Sequence, residues 1–439
     1  MNKKRQTILN SSLIPHPSSL DYDVVIAGGG PAGTSAAIHL AGAGARVLLA
    51  EQKRFPRAKL CGEFISPECL EHFCRLGVAD AMTGANGARL VETVFYARGG
   101  SSVSVPSEWF GANGSAAVAA LGLSRAEMDE RLLERARRVG VDVLEEAQVI
   151  GLAVERGRVC GVDLRACDGG TRSYSSLLTI DATGRARSLA RRVETHGTTA
   201  SAHNRKSRRA PLVAFKAHLE GARGCEDHCE IYLYRGGYGG LSRIEGGLSN
   251  LCFIAEGRDV RACGSDAERV MREVVASNRR ARYTLASARV CSEWLSVALD
   301  GFGARELVPA DGLLTVGDAA SFIDPFTGSG MLMALESGEI AALSIARWLP
   351  QFCDRGSFQR LADDYRSRYR ERFKVRLRVS SALRRAAFVP RLAEMTMLAV
   401  GASERLRRTL ARATRPRAHE TAPRARPDMR RQETGDRSQ

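Results

Sequence analysis

The chain is short of several things, and each shortage closes off a class of protein. It has no run of 18 or more apolar residues, so no membrane-crossing helix is expected. Lys3, Lys4 and Arg5 are not followed by an apolar stretch, so no secretory signal is expected. Its eleven cysteines follow no framework spacing, which predicts reduced thiols and a cytoplasmic setting. Cys225 and Cys229 are a lone pair without a second pair at ligand spacing, so no metal site is expected. Aromatic residues make up 6%, and tryptophan occurs only as Trp109, Trp294 and Trp348. No internal repeat is evident. Acids are also few: 49 against 65 Lys and Arg, a net charge of +16.

That basic excess is uneven. Residues 401–439 hold eleven arginines and five acids, and from Thr414 onward large apolar residues almost vanish. This composition predicts a disordered basic tail over 414–439. No aromatic residues interleave with the arginines, so specific nucleic-acid contact is not expected. The preceding stretch, 386–402, mixes Phe388, Leu392, Met395, Met397 and Leu398 with arginines. It reads either as a peripheral membrane contact or as a helix packed on the domain. Apolar content of 44% and charge of 26% are those of an ordinary soluble protein, and 439 residues suffice for two domains.

What is present begins at Asp23 to Glu51, DVVIAGGGPAGTSAAIHLAGAGARVLLAE. Val24, Val25 and Ile26 suit a strand buried on both faces. Gly28 permits a tight turn, Gly30 lets a pyrophosphate approach the backbone, and Gly33 lets the following helix pack against the strand. That helix would aim free amides and its positive dipole end at phosphates. Glu51 falls 18 residues after Gly33, at the end of the next strand, where a carboxylate can bind ribose hydroxyls. The pattern predicts a dinucleotide.

A second motif lies far downstream. Leu313 to Gly330 reads LLTVGDAASFIDPFTGSG. Leu313 to Val316 suits another strand, ending at Gly317-Asp318, where ligands bind in an open parallel sheet. Asp318 can accept hydrogen bonds from a polyol such as the ribityl chain of FAD; the alternative is a helix cap. Pro325, Gly328 and Gly330 shape a loop opening the helix Met331 to Ala342, whose N-terminus favours the negative charge of a reduced flavin. Between the two motifs, Leu177 to Ile180 reads as a strand ending in Asp181-Ala182-Thr183-Gly184.

In this order and spacing the motifs resemble the FAD-dependent oxidoreductases of the para-hydroxybenzoate hydroxylase fold. Within that fold the chain is most similar to the branch of geranylgeranyl reductases, related monooxygenases and electron-transfer-flavoprotein dehydrogenases. Phe55 to Glu63 (FPRAKLCGE) resembles the turn beside the isoalloxazine. Leu123-Ser124-Arg125 with Asp129 resembles the segment whose arginine contacts FAD. Phe215 to His218 resembles the opening of the substrate domain, and Gly237 to Cys252 the strand and turn over the flavin. The resemblance spans roughly residues 21 to 385. It implies an α/β fold: a discontinuous Rossmann-like FAD-binding domain, a mixed-sheet substrate domain and C-terminal helices.

The expected division is an N-terminal arm (1–20), a FAD domain (21–84, 120–195 and 306–350), a substrate domain (85–119 and 196–305), C-terminal helices (351–413) and the tail. The implied FAD site comprises Gly28, Gly30, Ala32 and Gly33, with Glu51 and Gln52 near the ribose. Lys59, Cys61, Gly62 and Arg125 follow, then Val149, Asp181 and Gly184. Gly317, Asp318, Pro325, Gly328, Ser329 and Gly330 complete it. Residues 196–210 read as a polar basic loop.

The chemistry is then the flavin's, with the protein supplying position and electrostatics. Reduced FAD can pass a hydride to an alkene, or meet oxygen to form a C4a-hydroperoxide that hydroxylates an electron-rich ring. Both need a dry pocket. Geranylgeranyl reductases carry an aromatic-Pro motif where this chain has Gly239-Gly240-Leu241-Ser242, which points away from polyprenyl reduction. No tryptophan falls in the WxWxIP motif of flavin halogenases, and the iron–sulfur cysteine cluster of the dehydrogenases is missing. The expected function is therefore a monooxygenase hydroxylating an aromatic or polyketide-like molecule. An isoprenoid or other alkene reductase is the alternative, and a non-catalytic flavin-binding scaffold a third. Tyr238 and Cys61 are candidate catalytic residues, although each can instead simply pack. The glycine pairs around Tyr238 are expected to leave room for a bulky ligand, and His218 to be structural. Ala182-Thr183-Gly184 stands where hydroxylases carry an Asp-Gly pair, so the electron donor stays open: NADPH or NADH, a separate flavin reductase, or ferredoxin. A monomer or homodimer is expected.

Overall fold

The computed structural model describes residues 20–110, 119–196, 212–299, 301–349, 355–387 and 402–413. The basic loop expected over 196–210, most of the segment 386–402 and the whole tail lie outside these.

The short apolar runs become a parallel sheet. Its strands lie in the order Asp142–Leu144, Val47–Ala50, Tyr22–Ala27, Thr171–Asp181, Leu313–Thr315. Val24, Ile26, Leu49, Ile180 and Leu314 are fully buried, because both faces of the sheet are covered. On one face pack the helices Pro31–Gly42, Arg125–Arg138 and Gly330–Trp348. On the other lies an antiparallel meander, Gln148–Glu155 and Arg158–Arg165, closed by the first half of Thr171–Asp181. That strand serves two sheets: residues 171–175 pair antiparallel with the meander, and 176–181 pair parallel with Tyr22–Ala27.

Helices Pro31–Gly42 and Gly330–Trp348 cross at backbone contact. A methyl on Gly338 would sit 2.3 Å from the Ala32 carbonyl oxygen. Ser35 Oγ donates to the Leu335 carbonyl at 2.8 Å. Small residues at this crossing hold the Asp23–Glu51 and Leu313–Gly330 motifs side by side, although they are nearly 300 residues apart in sequence.

The second sheet has eight strands. Both Arg289–Val290 and Leu295–Leu299 pair with Leu212–Glu220; then come Ser249–Glu256, Gly237–Arg243, His228–Tyr234, Glu92–Tyr96 and Ser102–Pro106. Pairing is antiparallel except between His228–Tyr234 and Glu92–Tyr96. Strand periodicity divides the side chains. Phe215, Leu219, Tyr232 and Phe253 bury against the helices Gly257–Ala262, Ala267–Glu273 and Arg279–Leu285. Ala214, Tyr238 and Ile254 face the other way, toward Phe322 of the Leu313–Gly330 motif. Ala88–Leu90 joins neither large sheet; it pairs with Ala120–Gly122, which also pairs with Phe64–Ile65. A methyl on Gly122 would meet the Arg243 carbonyl oxygen at 1.9 Å, so this small sheet presses directly on the second one.

Helix Arg355–Ala387 packs on Gly330–Trp348 through Phe358, Leu361, Tyr365, Tyr369 and Phe373, a stripe at helical spacing. Helix Glu404–Ala413 lies against strand Ser102–Pro106 and the turn Ser107–Phe110. Among the described residues no helix is long and apolar enough to cross a membrane.

Candidate functional site

One cavity of about 710 Å³ runs between the parallel sheet and the second sheet. Its floor is the carboxyl end of the parallel sheet, where side chains and helix N-termini converge. Gly28 has φ +111°, and a methyl there would lie 2.4 Å from the Ala182 carbonyl oxygen. A methyl on Gly33 would lie 1.9 Å from the Gly28 carbonyl oxygen, so only glycine lets the helix start here. Gly30 is different: its missing methyl would meet nothing nearer than 3.8 Å, and it lines the cavity. Gly30 caps helix Pro31–Gly42 without any side-chain cap bond, so the helix's first amides face the cavity free.

Cations gather at this helix end. Arg125 Nε and Nη2 hold both oxygens of Asp129 at 2.8 and 2.7 Å. Arg57 reaches Asp129 at 3.1 Å and Glu51 at 3.3 Å, while its buried Nε has no protein acceptor. Lys59 is exposed at the cavity mouth; desolvation by the surrounding wall, reinforced by the Arg57 and Arg125 charges, lowers its pKa. Glu51 is buried and accepts from the Gly29 and Lys53 amides at 2.9 and 3.0 Å. Each carboxylate oxygen has two lone pairs, which leaves capacity for ribose hydroxyls.

Across the cavity, Asp318 has no hydrogen-bond partner among the described residues. Burial raises its pKa against the pull of Arg185, Arg125 and Lys59. Its backbone is set by Gly317 (φ +60°), whose amide donates to Ser337 Oγ at 2.8 Å. A diphosphate fits the uncapped helix and the Arg57–Arg125–Lys59 charges. A polyol fits the unsatisfied Asp318, and a ribose fits Glu51. The residues present therefore fit FAD.

Of the residues expected from sequence, Ala32, Gln52, Cys61, Gly62, Val149, Gly184, Pro325, Gly328 and Gly330 also line this cavity. Gly33, Asp181 and Ser329 do not. Asp181 is fully buried and accepts from the Thr183 amide and hydroxyl and from the amides of Leu189 and Ala190, at 2.6 to 3.0 Å. Its carboxylate shapes the turn and starts helix Ser188–His196, with no lone pair left for a ligand. Ser329 is buried at the start of helix Gly330–Trp348.

The turn Cys61–Glu63 is bolted to the second sheet. Glu63, 1% exposed, lies 3.0 Å from Lys216 Nζ and 2.7 Å from His218 Nε2, and accepts the Arg125 amide at 2.9 Å. Burial raises the Glu63 pKa, but the His218 bond and the Lys216 charge outweigh it and hold it below the usual carboxylate value. Asn250 Nδ2 donates to the Cys61 carbonyl at 3.1 Å. His218 is thus structural here. Sequence reasoning quoted Glu63 and the Phe215 to His218 segment without joining them, and missed Arg57 altogether.

The cavity's roof is the inward face of the second sheet: Phe95, Val105, Ile231, Leu233, Gly240 and Ile254 among others. Tyr238 is buried and donates to Asp324 Oδ1 at 2.6 Å, tying the sheet to the Pro325–Gly330 loop. Its ring meets Phe326 edge-on at 5.1 Å, and Phe326 meets Phe95 at 5.7 Å. The glycine pairs do not all make space, contrary to expectation. A methyl on Gly237 would strike the Ile254 carbonyl oxygen at 1.9 Å, Gly239 lies against Phe253, and Gly236 is a turn glycine at φ +78°. Only Gly240 of the four faces the cavity. Burial pushes the Cys61 and Cys252 thiols up, so both are neutral.

Fold and site together define a two-domain flavoprotein: a Rossmann-like half that holds FAD and a mixed sheet that closes over it. The chain belongs to the FAD binding domain family, whose model matches residues 21–350. It is a FAD-dependent oxidoreductase. A menaquinone reductase of Mycolicibacterium smegmatis is 29% identical over 335 residues, covering 73% of this chain and 75% of that protein. Digeranylgeranylglycerophospholipid reductase 1 of Methanococcoides burtonii is 28% identical, covering 74% and 76%. A flavoprotein/dehydrogenase from Cytophaga hutchinsonii, 20% identical, shares the fold at a TM-score of 0.74 over 89% of this chain and 92% of that one.

Proposed function

We propose that this enzyme is a monooxygenase that hydroxylates an aromatic or polyketide-like small molecule. The observation that carries the reading is the aromatic wall Phe95–Phe326–Tyr238, in a cavity where Glu51 and Asp318 are left for FAD and the remaining acid is paired within the protein. Glu63 is held by Lys216 and His218, and Tyr238 by Asp324. Reduced FAD supplies activated oxygen for insertion into an electron-rich ring. The chain's own residues do the rest. Ile231, Leu233 and Val105 exclude water, Phe326 and Phe95 orient a flat ring, and the Glu63 cluster fixes the turn facing it. Tyr238 acts by position and Cys61 by packing.

A second reading, reduction of an isoprenoid or other alkene, is favoured by a different observation. Cys229 and Cys252 both line the chamber, and burial keeps their thiols protonated, Cys229 to about 12. Such thiols can give the proton to one alkene carbon, the hydride for the other coming from the reduced flavin. The relatives named as reductases agree with this reading. Electrons come from NADPH or NADH, which Lys53, Arg185 and Arg192 at the cavity suit, or from a separate flavin reductase or ferredoxin.

The test is stopped-flow reoxidation of the anaerobically reduced protein. A return of flavin absorbance in two phases supports oxygen insertion. A single phase, unchanged by any aromatic ligand, supports the reductase.

A further inference from the structure

The chamber is longer than a single ring needs. Its inward-facing residues step across the sheet through Ile254, Gly240, Ile231, Phe95 and Val103. Four inter-strand steps of about 4.8 Å separate the strand that holds the Cys61 turn from strand Ser102–Pro106, roughly 19 Å in all. At that far end the lining changes character. Helix Glu404–Ala413 lies there, and Arg407 and Ala411, one turn apart on one face, complete the cavity wall. Arg407 stands over the Trp109 ring at 6.0 Å. Among the described residues no ion pair involves it, and its buried Nε has no acceptor. An arginine at the end of an apolar chamber, stacked on an aromatic and lacking a counter-charge, is built to receive an anion.

We propose that Arg407 is a specificity-determining residue. The chamber takes an elongated amphiphile that carries its reacting ring at the flavin side, with an apolar single chain running along the sheet to an anionic end, a carboxylate, on the Arg407 guanidinium. The inference rests on the reading of this cavity as the substrate chamber of a flavoenzyme. It adds a polar anchor at the end remote from the reacting atoms. A chain too short to span the sheet, or one with a neutral end, loses that anchor.

The test uses the full-length FAD-loaded protein and three probes: myristate, its methyl ester, and octanoate. Binding is read from the perturbation of the bound flavin's absorbance and from the rise in Tm, so turnover is not required. Myristate is expected to bind about tenfold or more tighter than the ester and the shorter acid, as befits a hydrogen-bonded charge. R407A should erase the acid-over-ester preference, and R407K should restore part of it, with flavin content equal in all three proteins. Equal binding of acid and ester to the parent, or an unchanged preference in R407A, overturns the anionic anchor while leaving the apolar chamber standing. Failure of every probe to bind a fully flavin-loaded protein overturns the chamber reading itself.

Discussion

Glu63→Gln is the perturbation whose consequence the structure states most directly. The substitution keeps the shape and removes the charge. Lys216, 2% exposed, then stands buried with no counter-ion within the cluster, and His218 loses its acceptor. Removing one partner of a buried pair costs about 3–5 kcal/mol, because the remaining charge is uncompensated. Neither side chain is exposed enough for solvent to soften that figure. At a urea slope of about 3 kcal/mol per M, the unfolding midpoint falls by about 1 M or more. Lys216→Met on top of Glu63→Gln removes the stranded cation and should recover much of the loss, which a double-mutant cycle measures. The pH dependence has a definite sign. The folded pKa of Glu63 lies below its unfolded value. Its stabilisation is therefore complete above the unfolded value and fades as acidification carries the pH down through the folded one. A Glu63→Gln midpoint within about 0.2 M of the parent, where some 3 kcal/mol was expected, would refute the buried pairing.

Further outcomes follow from other contacts. Asp318→Ala removes the acceptor left unsatisfied at the cavity, and equilibrium dialysis should show FAD bound about tenfold more weakly, the scale of one hydrogen bond; full flavin occupancy on purification would contradict it. Gly33→Ala forces a methyl to within 1.9 Å of the Gly28 carbonyl oxygen, so the protein should purify without flavin or not fold; a yellow, stable variant would show that the turn yields. Tyr238→Phe removes one of the donors to Asp324, whose Oδ1 keeps the Phe326 amide, and should lower stability by about 1 kcal/mol with flavin retained; abolished product formation with unchanged KM would instead make the hydroxyl catalytic.

Much of the parallel sheet was legible because its constraints are local. Gly33 is demanded by a contact within one turn and Gly28 by its positive φ, to which Ala182 past the neighbouring strand adds a second reason, and Val24 to Ile26 need only be apolar to be buried on both faces. Asp318 was legible for the same reason, as an acid at the end of an apolar run. Asp181 has the same signature and a different fate: the amides of Leu189 and Ala190 take its carboxylate, and no residue type announces that a helix start will fold back on the strand. Arg57 escaped notice because its partner Asp129 is 72 residues away, and Glu63 because Lys216 and His218 arrive only when the second sheet docks. Ala88–Leu90 falls in the segment 85–119 expected in the substrate domain, yet it pairs with Ala120–Gly122 instead of joining the second sheet. The glycines near Tyr238 suggested empty space where backbone of the neighbouring strand stands.

Oxygen insertion at this site is what separates a hydroxylase from a reductase. The most direct test supplies the FAD-loaded enzyme with an electron donor, a panel of electron-rich phenolic compounds and oxygen-18 gas, and weighs the product. The expected product carries one labelled oxygen atom, with no turnover without oxygen. An unlabelled product that has gained two hydrogens, formed equally well in the absence of oxygen, would contradict it and establish the enzyme as a reductase.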